Sequence, residues 1–165
     1  MENQNTPVNP YLKGLLMVFS ALLIGLVTFA LMAVWLNNYT DFSAGLSEMN
    51  NIFLVILITI GVVCYAASKI LFKKQIETAK RHLDLKSKLV EYRSALVMKY
   101  ALIEAPAFMG ILFYMLTNDY LMLSFSGVLI VLFYFNKPTK ENVARELELN
   151  PDEMERLDHM DMSGN

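Results

Sequence analysis

Glu104 is the strongest candidate for a functional side chain in this 165-residue sequence, because it is the only acid inside a long apolar segment. An ionised carboxylate costs at least about 2.5 kcal/mol at the centre of a bilayer, so we expect Glu104 to face a partner, a cavity or another subunit. Pro106 removes one backbone hydrogen bond and should bend the helix. Nearby small residues that would let another helix approach are Ala101, Ala105 and Gly110.

Two roles for Glu104 are compatible with the sequence. In a static role its carboxyl group makes an ion pair or a hydrogen bond inside the bundle, and the candidate partners are Lys69, Tyr65 and Tyr100. Lys69 lies near the end of the preceding apolar segment and can extend its ammonium group toward the interface. In a transport role Glu104 binds a proton or an ion, since acids within membrane helices often mark such pathways.

The segment YALIEAPAFMGI, residues 100–111, resembles the second helix of the proton-carrying c (proteolipid) subunit of rotary ATP synthases. In that family a cytoplasmic loop precedes a helix with the pattern A-L-x-E-A-x-A-x-x-G, and its carboxyl group binds the translocated proton. The resemblance implies that Glu104 is the ion-binding acid. The partner helix of that family is rich in glycine, whereas residues 52–72 contain only Gly61. The layout also resembles small uncharacterised bacterial four-helix membrane proteins, which implies no activity.

Motifs for other chemistry are missing from the sequence. It contains no glycine-rich phosphate loop, no HExxH pair and no GxSxG elbow. Cys64 is the only cysteine, which excludes an intrachain disulfide and predicts neither a metal cluster nor a cofactor. A pI of about 5.7 gives no support for nucleic-acid binding. We therefore predict a protein that is not an enzyme.

Long apolar segments determine the predicted fold. Apolar residues make up 55% of the chain, and the mean hydropathy is +0.39. A helix needs about 20 apolar residues to cross roughly 30 Å of hydrocarbon. Four segments reach or approach this length, at about 15–36, 52–72, 98–117 and 120–135. The prediction is an all-α integral membrane protein with a four-span transmembrane domain over residues 14–136.

The basic residues predict the orientation of these four segments. Lys and Arg occur before the first segment, around residues 69–99 and after the fourth segment, whereas residues 37–51 and 117–119 contain none. Short loops that are rich in Lys and Arg stay on the cytoplasmic side. Both termini are therefore predicted to be cytoplasmic, in a multi-pass protein of the cytoplasmic (inner) membrane.

Residues 73–97 form a basic cytoplasmic loop that is predicted to be helical. Its apolar side chains recur at spacings of three or four and form one stripe: Leu85, Leu89, Tyr92 and Leu96. The pairs Glu77–Arg81 and Asp84–Lys88 have the acid four residues before the base, which is the stabilising order. The bases either bind anionic lipid head groups or only fix the orientation. The candidates for lipid contact are Lys73, Lys74, Lys80 and Arg81.

The two ends of the chain are polar. Residues 1–13 are predicted to be disordered. Residues 137–165 form an acidic cytoplasmic tail, in which we expect helices at about 140–149 and 151–160 and a frayed end at 162–165. The second of these helices has a start signature, with a cap at Asn150, proline at the first position and an acid at Glu153. The tail could fold back onto the basic loop, bind a soluble partner or remain solvated.

The function that these observations favour is a non-enzymatic accessory or scaffold subunit of a membrane complex. Its partners would be the lipid bilayer and either further copies of this chain or other membrane proteins, with no nucleic acid. The alternative is a proton- or ion-translocating oligomer that uses Glu104, as the resemblance to the c subunit implies.

Overall fold

The fold is known from a computed structural model, which describes residues 10–40 and 46–159. Within these ranges helices joined by short turns are the only regular secondary structure and no strand occurs, which confirms the predicted all-α class. The six α-helices are α1 (Pro10–Tyr39), α2 (Asn50–Lys80), α3 (Leu85–Thr117), α4 (Tyr120–Phe135), α5 (Lys140–Leu147) and α6 (Pro151–His159). A short 3-10 turn, Leu46–Met49, precedes α2.

Three helices, α1, α2 and α3, are long and apolar enough to cross a membrane. The fourth predicted span, α4, has only 16 residues. It reaches the required length and hydropathy only together with α5, from which it is bent by 77°. The described part of the chain therefore has three candidate spans, or four if α4 and α5 count as one broken span.

Most of the predicted basic loop belongs to the ends of two long helices. Helix α2 runs on to Lys80 and α3 begins at Leu85, so only residues 81–84 form the turn between them. At 1.5 Å per residue the 31 residues of α2 and the 33 of α3 measure about 46 and 50 Å. Both helices therefore extend well beyond a hydrocarbon layer of roughly 30 Å.

Helix α3 is the centre of the bundle and contacts α1, α2 and α4. Helix α4 also contacts α1 and α2. We call the end with the α2–α3 turn and the tail helices the tail end, and the end with the α3–α4 turn the opposite end. The predicted stripe of α3 (Leu85, Leu89, Tyr92 and Leu96) is buried in the core at the tail end.

The start of α1 differs from the prediction for residues 1–13. Helix α1 begins at Pro10, so residues 10–13 are helical, and residues 1–9 lie outside the described ranges. Proline is favourable in the first turn of a helix. The Tyr11 hydroxyl donates a 2.7 Å hydrogen bond to the Leu89 carbonyl, which attaches this end of α1 to α3.

Asp84 has a different role from the one that the sequence suggested. Its carboxylate caps the N-terminus of α3 and accepts a 3.2 Å hydrogen bond from the Ser87 amide. Because α3 begins at Leu85, Asp84 stands at the cap position, where a carboxylate oxygen satisfies a free backbone N–H. Lys88, the predicted partner of Asp84, instead forms a 2.6 Å ion pair with Glu153.

The tail folds back onto α2 and α3, which is one of the three arrangements considered above. Val143, Leu147 and Leu157 are buried in the core at the tail end. The predicted start of α6 is present, since Asn150 Oδ1 accepts from the Glu153 amide at 2.7 Å and Glu153 Oε2 accepts from the Asn150 amide at 3.0 Å. The predicted frayed end at residues 162–165 lies outside the described ranges.

Docking of the tail should depend on the charge of Glu153. Its hydrogen bond to Lys88, followed by the Asn150 amide, holds the pKa of this carboxyl below its usual value of 4.5. A lowered folded-state pKa gives stability that is present above pH 4.5 and lost as the pH falls through the lower folded value. In a protein with Cys64 replaced by serine, spin labels at positions 81 and 154 should keep one short distance at pH 6 and separate as the pH is lowered well below 4.5.

A matched pair of variants controls this experiment. Glu153→Gln should broaden the distance distribution already at pH 6, because the ion pair to Lys88 is lost. Asp152→Asn, which removes a neighbouring exposed acid, should behave like the parent protein. Equal pH responses of all three proteins would show that Glu153 does not hold the tail.

Candidate functional site

Glu104 lies on the outer face of α3, away from the packed interior. The neighbouring residues Ile103 and Ala107 are buried in the bundle, whereas Glu104 is partly exposed and Ala105 is exposed. A shallow cavity of about 240 Å³ is lined by Ala101, Glu104, Ala105 and Phe108. The carboxyl group therefore lines an open apolar surface together with two alanines and the Phe108 ring.

The structure does not bring Glu104 together with its three predicted partners. The Tyr100 ring packs between Phe19 and Phe133, at centroid distances of 5.5 and 5.1 Å. Its hydroxyl donates a 2.9 Å hydrogen bond to the Asn136 carbonyl.

The other two predicted partners, Lys69 and Tyr65, contact each other. The Lys69 ammonium lies 5.5 Å from the centroid of the Tyr65 ring. Across residues 10–40 and 46–159, no hydrogen bond or ion pair reaches the Glu104 carboxyl group.

A larger cavity of about 580 Å³ continues from Ala101 toward the tail end. It is lined by Gln75 of α2 and by Val90, Arg93, Ser94, Val97, Met98 and Ala101 of α3. We call the combined surface from Val90 to Phe108, with Gln75 at its edge, the α3 groove. The neighbouring helices contact its edges: Phe29 of α1 stacks on Phe108 at a centroid distance of 4.4 Å, and Gln75 Nε2 of α2 donates a 3.3 Å hydrogen bond to Met98 Sδ.

Pro106 lies on the inner face of α3 and is fully buried. Helix α3 continues through it without interruption from Leu85 to Thr117. Because Pro106 points inward, it does not line the α3 groove, whose polar residues are Gln75, Arg93, Ser94 and Glu104.

The bases predicted to contact lipid head groups are not all free. Lys73, Lys74 and Arg81 are exposed at the tail end. Lys80 forms a 2.6 Å ion pair with Glu148, at the C-terminal cap of α5. Three of the four predicted contacts thus remain accessible, and the fourth helps to hold the tail.

Sequence reasoning missed a polar pocket where α2, α3, α4 and α5 meet at the tail end. This cavity of about 240 Å³ is lined by four bases: Lys69, Lys99, Lys137 and Arg145. One acid, Glu146, also lines it and accepts a 2.6 Å hydrogen bond from the Tyr92 hydroxyl. The sequence does contain an indication of this pocket, because Lys69 and Lys99 are the only bases inside the predicted spans.

Comparisons with family models, curated proteins and solved structures return no match. The described residues also contain no group of three or more His, Cys, Asp or Glu side chains that could hold a metal ion. The α3 groove and the polar pocket are therefore the two candidate sites of this protein.

Proposed function

We propose that this chain is a four-span protein of the inner membrane and acts as a non-enzymatic accessory or scaffold subunit of a larger membrane complex. In this proposal both termini are cytoplasmic, and α4 is the fourth span, with its bend into α5 at the interface. The observation that carries the proposal is Glu104, which lines an open groove and has no partner among the described residues.

In the proposed membrane arrangement, a partner inside the bilayer would stabilise Glu104. An acid that faces hydrocarbon without a donor is costly, and acids at such depths are normally paired. The α3 groove extends over about 27 Å from Val90 to Phe108, at 1.5 Å per residue. Ala101 and Ala105 beside Glu104 leave room for another helix backbone. The occupant that fits is a transmembrane helix of a partner, with a base or hydrogen-bond donor at the depth of Glu104.

The tail supports a scaffold role because it is fixed to the bundle. Apolar packing of α5 and α6 is reinforced by ion pairs to Lys80 and Lys88. The Lys88–Glu153 pair is well shielded, with both side chains 13% exposed. In the proposed orientation, these helices present a structured cytoplasmic surface directly below the membrane.

Photo-crosslinking tests the proposed docking of a helix. A photoreactive diazirine amino acid at position 105 should give one discrete protein adduct in native membranes, and the crosslinked peptide should be a transmembrane helix that carries a donor or a base. Replacement of Glu104 by alanine in the same protein should reduce this adduct about tenfold or more, since a lost pair in hydrocarbon leaves the partner group unsatisfied.

A diazirine at position 128, exposed on α4, serves as the control, because it lies outside the groove and should react with lipid. Lipid adducts alone from position 105, or a protein adduct that persists without Glu104, would contradict the proposal.

The second candidate function is a proton- or ion-translocating oligomer, and the same exposed carboxyl group favours it. A neighbouring copy could reach Glu104 through the open groove. Glu104→Gln keeps the shape of the side chain and removes its charge. If Glu104 carries ions, the variant should fold normally while flux in liposomes disappears. If Glu104 only binds a partner helix, the purified protein should show no flux either before or after the substitution.

A further inference from the structure

The polar pocket has an excess of positive charge that the side chains lining it do not neutralise. Four bases and one acid line it, which leaves a formal excess of three positive charges. The acid, Glu146, is already engaged by the Tyr92 hydroxyl. Across the described residues, neither Lys69, Lys99 nor Lys137 forms an ion pair with a carboxylate within 4.0 Å.

Lys99 is the most buried of the four bases that line this pocket. Its residue is only 9% exposed, and its ammonium group lies 4.6 Å from the centroid of the Phe72 ring. Glu146 and Lys69 are both close enough to act on it electrostatically. A buried ammonium group with no carboxylate within ion-pair distance is costly, and an anion bound next to it would compensate this cost.

The other three bases that line the pocket come from different elements. Lys69 belongs to α2, Lys137 follows α4, and Arg145 lies on α5. Arg145 Nη2 donates a 2.9 Å hydrogen bond to Asn142 Oδ1, which orients the guanidinium group. The volume of about 240 Å³ is several times the roughly 30 Å³ that a water molecule occupies in the liquid.

We propose that the polar pocket binds a phosphate group of an anionic ligand. Arg and Lys side chains are the usual ligands of phosphate oxygens. Basic pockets between membrane helices at the cytoplasmic face bind phosphorylated lipid head groups. The phosphate can belong to an anionic phospholipid or to a soluble phosphate compound. This site differs from the exposed bases at Lys73, Lys74 and Arg81, and it does not depend on a partner helix at Glu104.

The test compares two double variants that each remove two exposed bases. Lys137→Gln with Arg145→Gln alters the pocket, and Lys13→Gln with Lys86→Gln is the matched control, since both of these exposed bases lie outside the pocket. The single variant Lys99→Gln removes the buried base. If Lys99→Gln fails to fold, the double variants still decide the question, because their side chains lie at the surface.

The first arm uses nanodiscs of phosphatidylcholine with a minor share of phosphatidylglycerol and counts retained lipids by native mass spectrometry. The second arm uses phosphatidylcholine alone and measures the melting temperature with and without inorganic phosphate. Selective retention of phosphatidylglycerol, weakened about tenfold in the pocket variant and less than twofold in the control, supports a lipid head group.

Stabilisation by inorganic phosphate without lipid selectivity, abolished in the pocket variant alone, supports a soluble phosphate compound. The proposal is overturned if neither arm shows binding. It is equally overturned if both double variants weaken binding to the same extent, since that would be a general surface effect.

Discussion

Substitution of Gly110 by leucine should disrupt the contact of α3 with α2 and α4 and lower the yield of folded protein. Gly110 is buried, and a Cβ atom built there would collide with Ser126 Oγ and lie 3.1 Å from the Met122 carbonyl oxygen and 3.2 Å from Leu57 Cδ2. Overpacked cores lose typically about 1–3 kcal/mol for a few added methylenes. Because a backbone atom cannot easily move aside, we expect a loss at the upper end of this range.

The apparent melting temperature in detergent measures this effect, and Gly110→Ala should give a smaller decrease than Gly110→Leu. Gly25→Leu is the matched control, because nothing lies within 4 Å of a Cβ atom built at Gly25 on α1. If Gly25→Leu were as destabilising as Gly110→Leu, the loss would not come from the close approach of the helices at Gly110.

Replacement of Leu147 by aspartate should release the tail from the bundle. Leu147 is 1% exposed and shares a core with Leu89, Tyr92 and Val143. Truncation of a buried leucine costs about 2–5 kcal/mol, and a carboxylate in the same place adds the cost of a buried charge. We expect the ion pairs of Lys80 and Lys88 to break together with the apolar contacts, because they hold only while α5 and α6 are docked.

Limited proteolysis of the purified protein should detect the release as rapid cleavage between residues 137 and 151. Met154→Asp introduces the same side chain on the exposed face of α6, where Met154 is 37% exposed, and should leave the cleavage rate unchanged. Equal resistance of Leu147→Asp and the parent protein would show that the tail does not need its apolar face.

Local patterns in the sequence predicted much of the tail end. The apolar stripe of α3 and the start of α6 depend on side-chain spacings of three or four residues. These spacings are visible in the sequence and predicted both features. The role of Asp84 could not be predicted from the sequence, because it depends on the residue at which α3 begins. A shift of one residue in that boundary decides whether Asp84 caps the helix or pairs with Lys88 one turn later.

Features built from distant segments were harder to predict. The polar pocket combines Lys69, Lys99, Lys137 and Arg145, which only the antiparallel packing and the 77° bend after α4 bring together. Tyr100 is one helical turn from Glu104, so spacing alone favoured a contact. Its ring instead packs with Phe19 and Phe133, from helices that lie far away in the sequence.

The proposed functions all require the orientation in which the tail end faces the cytoplasm and α4 crosses the membrane. Single cysteines at positions 40, 82 and 154, in a protein with Cys64 replaced by serine, can be labelled with a membrane-impermeant maleimide in intact spheroplasts. All three positions are exposed. We expect position 40 to react at once and positions 82 and 154 to react only after the membrane is permeabilised. Labelling of position 82 in intact spheroplasts would contradict the orientation, and labelling of position 154 alone would show that α4 does not cross.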